Sequence, residues 1–151
     1  MALSLTAEAA ECLAQHHVMT LATQGGEGPW AAAVFYAVDG DDLIFVSSPA
    51  SRHCRDLARD PRCAATIHAE AEDWRFIRGL QIDGVVHSLD GVERERAQQC
   101  YTQRFAFARP EHAPEAIAQA LARVHWYRLR IRRLHYIDNA HGFGRRQQFD
   151  A

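Results

Sequence analysis

The alternation of hydrophobic and polar positions divides the chain into short segments, most with the pattern of strands and a few with that of amphipathic helices. Four segments are predicted to be helical: 4–16, with Ser4 or Thr6 as its cap, 51–60, capped by Ser51, 93–105 and 114–123. Six more segments have strand composition or alternation: 18–23, 30–38, 43–48, 62–68, 74–89 and 124–137. This order predicts an α+β fold, a six-stranded antiparallel barrel with flanking helices, in a single domain spanning residues 1–151.

Three local features refine that prediction. Asp39-Gly40, between two strand segments, indicates a hairpin turn because Asp-Gly tolerates a positive φ. The segment 30–38 is more continuously apolar than alternating, so burial on both of its faces is expected. Within the segment 74–89, a bend is expected at Gly79 or Gly84.

Composition excludes several classes of function. All 17 basic residues are arginines, and without lysine the chain can form neither the Schiff base of pyridoxal phosphate enzymes nor a Walker-A site. A formal net charge of −2 provides no overall basic field for nucleic acid. No apolar run approaches the roughly 18–20 residues that span a bilayer, and the N-terminus lacks a basic signal-peptide region. A cytoplasmic protein that binds neither nucleic acid nor membrane is therefore expected.

Charge and thiols are distributed unevenly. Residues 123–151 carry seven arginines against two acidic residues, which suits an anionic small molecule or an acidic neighbouring subunit. A solvated strand face is the alternative. The four cysteines form no Cys-x-x-Cys pair, so reduced thiols packed as small apolar groups are expected rather than disulfides or a zinc site. They are Cys12, Cys54, Cys63 and Cys100.

The residues with the clearest binding chemistry lie between the third strand segment and the helix that follows it. Ser47, Ser48, Ser51, Arg52 and His53 converge there. A helix start offers free backbone N–H groups and a partial positive charge, and an arginine adds a charge-assisted contact. The segment therefore predicts a site for a terminal phosphate. The alternative is that Ser51 only caps the helix and Arg52 lies on the surface.

Several motifs in order resemble the pyridoxamine 5′-phosphate oxidase superfamily of FMN-binding split barrels. They are the strand 31–36, Asp39-Gly40, the strand 43–48, Ser51-Arg52-His53, Asp60-Pro61-Arg62 and the segment 78–84. Within this superfamily, the segments 77–81, 105–109 and 138–145 resemble the YhbP-like branch. The resemblance implies a split β-barrel that binds FMN, with a flavin-dependent oxidoreductase or a non-catalytic flavin-binding protein as the expected functions.

The resemblance also implies which residues hold the cofactor. Ser47, Ser51, Arg52 and His53 correspond to the residues that hold the FMN phosphate, with Ser48 beside them. The strand backbone along the flavin ring falls on small and apolar residues, namely Ala32, Ala33, Val34 and Phe35.

Departures from the oxidase pattern argue against its reaction. The oxidase's basic third residue is His53, its strand arginine is Ala31, and its flavin-contacting glutamine falls on Gly79. Gln81, two residues on and on the same strand face, can substitute. Oxidation of pyridoxamine phosphate is therefore not expected, and the substrate and electron donor stay open.

Haem is the alternative cofactor. Among nine histidines, His141 stands apart because it precedes Gly142-Phe143-Gly144 in a C-terminal loop, and some split-barrel relatives bind and degrade haem through a C-terminal histidine. No metal site is expected otherwise. By analogy with such barrels we expect a homodimer with the cofactor between subunits. Expected contributors from the last strand and tail are Trp126, Tyr127, Arg145 and Arg146.

Overall fold

A computed structural model describes residues 2–151 and confirms the α+β class. Four α-helices lie in this range: α1 (Ala7–Gln15), α2 (Arg52–Arg59), α3 (Gly91–Arg104) and α4 (Glu115–Leu121). Eight strands are present within the same residues: β1 (Val18–Gly25), β2 (Gly28–Phe35), β3 (Ala37–Asp39), β4 (Asp42–Ser47), β5 (Arg62–His68), β6 (Arg78–Ser88), β7 (His125–Asp138) and β8 (Arg146–Asp150). Short 3₁₀ turns occupy Trp74–Phe76, Ala106–Ala108 and Asn139–His141.

All eight strands belong to one antiparallel sheet in the order β2-β1-β5-β6-β7-β4-β3, with β8 paired to β7. The sheet curls until β2 approaches β4, but these two strands are not hydrogen-bonded neighbours. We call this gap the seam. It makes the architecture a split barrel, as predicted, although with eight strands in the described residues rather than six.

Two of the differences in strand boundaries have identifiable causes. The predicted strand 30–38 is interrupted at Tyr36, whose buried hydroxyl donates to the Leu13 carbonyl at 2.6 Å and whose N–H donates to His17. The strand β8 was missed because its residues are mostly polar and alternate in a tail, so no apolar face marks it. The predicted hairpin at Asp39-Gly40 is confirmed, and Gly40 has a φ of 61°.

The predicted strand 74–89 begins as a 3₁₀ turn and becomes β6 only at Arg78. Its pairing with β7 shifts between Asp83 and Gly84, which confirms a bend at the second of the two glycines. A Cβ at Gly84 would lie 2.6 Å from the Arg130 carbonyl, so the close approach of β7 requires glycine there.

The expectation that strand 30–38 is buried on both faces is wrong for β2. Trp30 and Phe35 are 42% and 45% exposed, and Ala31 and Ala33 are also exposed. The reason is that β2 is an edge strand at one end of the sheet, and on its outer face Phe105 and Phe107 cover Phe35 only in part. The alternate residues Trp30, Ala32 and Val34 share the other face, where Ala32 and Val34 are half-buried and Trp30 lies against Arg52.

The core fills the barrel and the space beneath the helices. Thr6 caps α1, its hydroxyl accepting from the Ala9 N–H, as the sequence indicates. The last turn of α3 supports the other end of α1, where Arg104 donates to the carbonyls of Ala14 and His16.

All four cysteines are free thiols; Cys12 and Cys54 are buried and the other two half-buried. Within the described range, no helix is both long and apolar enough to cross a membrane.

Candidate functional site at the start of helix α2

The candidate site forms where β4 ends and α2 begins. Ser47 is the last residue of β4, Pro49 prevents the strand from continuing, and Ser51 caps α2 in an extended conformation. The Ser51 hydroxyl accepts from the Cys54 N–H at 3.4 Å and donates to the Ser48 carbonyl at 2.7 Å. The cap satisfies the Cys54 N–H, and the other first N–H groups of α2 have no intrahelical acceptors, as at any helix start.

Three polar side chains meet at this helix start, and we call them the Ser-His cluster. The Ser47 hydroxyl lies 2.6 Å from His53 Nε2 and 3.3 Å from the Ser51 hydroxyl. His53 Nε2 is in turn 3.3 Å from the Ser51 hydroxyl, and the histidine is buried. Together these groups form a compact set of donors beside a positive helix end, which suits an anionic oxygen.

Arg52 reaches across the seam to the start of β2. Its guanidinium carbon lies 4.3 Å from the centre of the Trp30 ring, and Nη2 donates to the Glu27 carbonyl at 3.1 Å. Its Nε is buried and has no hydrogen-bond partner among the described residues. A buried guanidinium N–H without an acceptor is costly, so an added oxygen within reach of this Nε would be stabilising; the Nε atoms of Arg78 and Arg104 are buried and unpartnered in the same way.

The thiol of Cys54 lies beside the same polar groups. Burial opposes its ionisation, but hydrogen bonding by His53, Ser51, Tyr127 and Ser47 outweighs burial and lowers its pKa to about 7. The thiol also lines a cleft of about 290 Å³ behind α2. Burial together with the neighbouring thiol raises the pKa of the Tyr127 hydroxyl, which keeps that hydroxyl protonated.

A buried carboxylate holds α2 against the β1–β2 turn. Asp56 accepts a hydrogen bond from the Thr23 hydroxyl at 3.0 Å, and both residues are buried. A Cβ at Gly25 would overlap the Asp56 carboxylate, so only glycine permits this approach. The turn and the helix start are therefore fixed relative to each other, and with them Glu27 and Arg52.

The other sequence-predicted residues are distributed around the barrel. Ala32 to Phe35 continue along β2 from the Trp30 end of the seam, and Ser48 accepts the Ala50 N–H in the loop before α2. Gln81 is exposed on the outer face of β6 and pairs with Thr66 and His135. Because β1 and β5 separate β6 from β2, Gln81 is about 14 Å from the β2 strand and does not join the Ser-His cluster.

The expected contributors from the last strand and tail divide into two kinds. Trp126 and Tyr127 are buried, and Tyr127 stacks on Phe45 with ring centres 5.2 Å apart, so both belong to the core of the protomer. Arg145 and Arg146 are exposed. Only the two arginines are accessible to a second molecule.

His141 lies at the opposite end of β7, in a 3₁₀ turn. Its side chain is 64% exposed, and Nε2 lies 3.8 Å from the Asp138 carboxylate. It lines a polar cleft of about 200 Å³ together with Glu8, Tyr136, Asp138, Arg145 and Gln147. No group of three His, Cys, Asp or Glu side chains within residues 2–151 is placed to bind a metal ion.

Sequence reasoning missed Glu27, Trp30 and Asp56. Glu27 and Trp30 contact Arg52 from the β1–β2 hairpin, and Asp56 of α2 contacts Thr23 in β1. In each of these contacts the two residues are 22 to 33 positions apart in the chain. The one signal in the sequence is the run Gly25-Gly26-Glu27-Gly28, which permits the hairpin to approach the helix closely.

Taken together, the curled antiparallel sheet, its open seam and the polar helix start beside the seam define a split-barrel protein. The family model for pyridoxamine 5′-phosphate oxidase matches residues 5–138, and the chain belongs to this family. It is 30% identical over 136 residues to the UPF0306 protein YhbP of Escherichia coli, covering 89% of this chain and 85% of YhbP. The expected YhbP-like branch is thereby confirmed.

Solved structures show the same fold. A haem-binding protein of Mycobacterium smegmatis is 27% identical with a TM-score of 0.76, and the match covers 95% of this chain but only 56% of the mycobacterial chain. The present chain thus spans about half of that protein. An FAD-binding protein of Mesorhizobium loti is 17% identical with a TM-score of 0.66 over the whole of both chains, a likeness that shows the fold alone.

Proposed function

We propose that this protein binds FMN at the start of α2, as a flavin-dependent oxidoreductase or a flavin-binding protein. The observation that carries the proposal is the Ser-His cluster together with the buried, unpartnered Nε of Arg52. A terminal phosphate has several oxygens and a double negative charge, so it can accept from the Ser47 hydroxyl, the imidazole and the guanidinium at once, and from the Ser51 hydroxyl once that group turns away from the Ser48 carbonyl. Ser47, Ser51, Arg52 and His53 are therefore the residues proposed to hold it, with Ser48 shaping the loop.

The rest of the cofactor fits along β2. From Trp30 to Phe35 the strand extends about 17 Å, beginning beside the proposed phosphate site. Ala32, Ala33 and Val34 have small side chains, which let a flat ring approach the strand backbone. The bound flavin would supply the redox chemistry, and the chain's own groups would bind and orient it. Because Ala31 and Gly79 replace oxidase residues, we do not propose oxidation of pyridoxamine phosphate.

A homodimer with the cofactor at the interface is part of this proposal. The outer face of β2 and β1 presents exposed apolar residues, among them Val18, Ala33 and Phe35, in place of the polar residues typical of a solvated sheet face. Gln81 lies on the same outer face two strands away. A second copy on this face would cover the apolar residues and bring its own Gln81 toward the flavin.

Haem binding is the second candidate, favoured by the likeness to the mycobacterial haem-binding protein. His141 is the proposed ligand because it is the exposed histidine of a preformed cleft. The cleft volume of about 200 Å³ is below the roughly 300–1,000 Å³ of pockets that enclose larger ligands. Haem at this position would therefore need a covering surface from a second subunit.

One titration series separates the two candidates. The cofactor-free protein is titrated with FMN, riboflavin and haemin, with binding followed by calorimetry and visible absorption, and its mass is measured by light scattering. Tight FMN binding with much weaker riboflavin binding supports the phosphate site. A Soret band that disappears in His141→Ala supports haem instead. A monomer that binds FMN tightly would contradict the shared interface.

A further inference from the structure

We propose that Glu27 and Trp30 act in opposite directions on Arg52: Trp30 holds the guanidinium in place for an anionic phosphate, and Glu27 competes with that phosphate for the guanidinium. This inference rests on the proposed function of the α2 site, and it assigns a role to two residues of the β1–β2 hairpin. Neither belongs to the phosphate-binding motif itself.

The geometry of Arg52 is set by the hairpin and only in part by α2. The guanidinium lies over the Trp30 ring at 4.3 Å, within the range in which a cation is attracted to an aromatic face. One end of the guanidinium is fixed by the hydrogen bond from Nη2 to the Glu27 carbonyl. The ring and the carbonyl together restrict a long side chain that would otherwise lose rotamer entropy on binding an anion.

Glu27 also places a negative charge beside the unpartnered nitrogen. Its carboxylate oxygen Oε2 lies 3.7 Å from Arg52 Nε, close enough for attraction but too far for a hydrogen bond. The Glu27 side chain is 71% exposed, whereas that of Arg52 is only 24% exposed. The carboxylate can therefore leave at little cost, while the arginine stays in place. An incoming phosphate oxygen would accept a hydrogen bond from the Arg52 Nε–H, which Glu27 attracts but does not hydrogen-bond.

These contacts predict effects of opposite sign from two residues on the same hairpin. Glu27→Gln removes the competing charge but keeps the side-chain size, so FMN should bind about two- to fivefold more tightly, the range for an exposed ion pair. Trp30→Ala removes the aromatic face, so FMN should bind about two- to fivefold more weakly. Trp30→Phe retains a ring and should restore most of the affinity.

The test measures dissociation constants for FMN and riboflavin by calorimetry on wild type, Glu27→Gln, Trp30→Ala and Trp30→Phe, each also in an Arg52→Ala background. Glu111→Gln, an exposed glutamate remote from α2, controls for net charge. We expect Glu27→Gln to strengthen FMN binding and Trp30→Ala to weaken it, with no change in riboflavin binding. Neither substitution should change FMN affinity in the Arg52→Ala background. Equal changes for riboflavin, or changes that persist without Arg52, overturn it.

The same series distinguishes failure of this inference from failure of the proposed function. Wild-type protein that binds FMN no more tightly than riboflavin has no phosphate site at α2, which overturns both. Wild-type protein that prefers FMN, with Glu27→Gln and Trp30→Ala both at wild-type affinity, keeps the phosphate site and overturns the roles of the hairpin residues.

Discussion

The two candidate regions lie at opposite ends of the same strand and differ in how their polar groups are arranged. His125 begins β7 beside Ser47, and Asp138 ends it beside His141, a contour length of about 40 Å away. At the α2 end, hydroxyls and an imidazole converge within 3.3 Å, and a buried guanidinium nitrogen lacks a partner. At the His141 end the histidine is 64% exposed and no hydroxyl in the described range converges on it, although the Nε of Arg78, which pairs with Asp138 in the sheet, is also buried and unpartnered.

This difference separates a site prepared for a small anion from a surface that needs a partner. The hydroxyls and the imidazole of the Ser-His cluster converge beside a helix start, a geometry that can bind an anionic oxygen within one protomer. An exposed histidine is stable without a ligand, so by itself it is weaker evidence for a binding site. Exposed aromatic residues do surround the His141 end, with Trp74 and Phe143 in edge contact at 5.8 Å, and they provide apolar surface for a second molecule.

The largest expected effect is at Arg52. Arg52→Ala should weaken FMN binding by about 1.5–3 kcal/mol, a factor of about 10 to 150, because a charge-assisted contact to the phosphate is lost. Riboflavin binding should be unchanged. Calorimetric titration of both ligands measures the difference.

Arg96→Ala is the matched control, since Arg96 is an exposed arginine of α3 rather than of α2 and the charge change is the same. If Arg52→Ala and Arg96→Ala have equal FMN affinity, the α2 start is not the phosphate site and the comparison between the two regions loses its basis.

The next effect is on stability at the α2 end. Asp56→Ala removes the buried acceptor of the Thr23 hydroxyl and should lower the free energy of unfolding by about 1–3 kcal/mol. FMN binding should weaken as well, because the hairpin that carries Glu27 and Trp30 is no longer fixed to α2. Urea denaturation and FMN titration measure the two effects; unchanged stability would show that Asp56 does not fix the hairpin.

A matching substitution at the other end is Asn139→Ala. The buried Asn139 amide donates to the Trp74 carbonyl at 2.8 Å and accepts the Gly144 N–H at 3.0 Å, joining two loops. Its loss should cost about 1–2 kcal/mol of unfolding free energy by urea denaturation. FMN affinity should stay at the wild-type value while any haemin binding weakens. Loss of FMN binding would mean that the two ends are not independent.

The parts of the fold that depend on local sequence were predictable. The Ser51 cap and the Asp39-Gly40 hairpin follow from side-chain and backbone preferences within a few residues, whereas the choice of Gly84 over Gly79 for the bend depends on the approach of β7. The break at Tyr36 was not predictable either, because it depends on a hydrogen bond to Leu13, 23 residues earlier. Nothing in the apolar run 30–38 marks that residue.

The candidate site divides in the same way. Ser47, Ser51, Arg52 and His53 lie within seven positions, so the chain itself brings them together. Glu27 and Trp30 meet Arg52 only because the sheet curls and brings β2 to the seam. The curvature of a sheet is a property of the whole fold, and single-sequence patterns carry little information about it.

The smallest expected effect is a pH dependence of FMN binding at the α2 end. Three of the four polar groups that lower the pKa of Cys54 to about 7, namely Ser47, Ser51 and His53, are also proposed phosphate donors, so thiolate and phosphate compete for them. Phosphate binding should raise the thiol pKa, and FMN affinity should therefore fall a few-fold as pH rises from about 6.5 to about 8.5. Cys54→Ser, which does not ionise in this range, should bind FMN with a flatter profile. If FMN affinity changes with pH by the same slope in wild type and in Cys54→Ser, the pH dependence belongs to another group. Haemin binding through His141 should not change in Cys54→Ser.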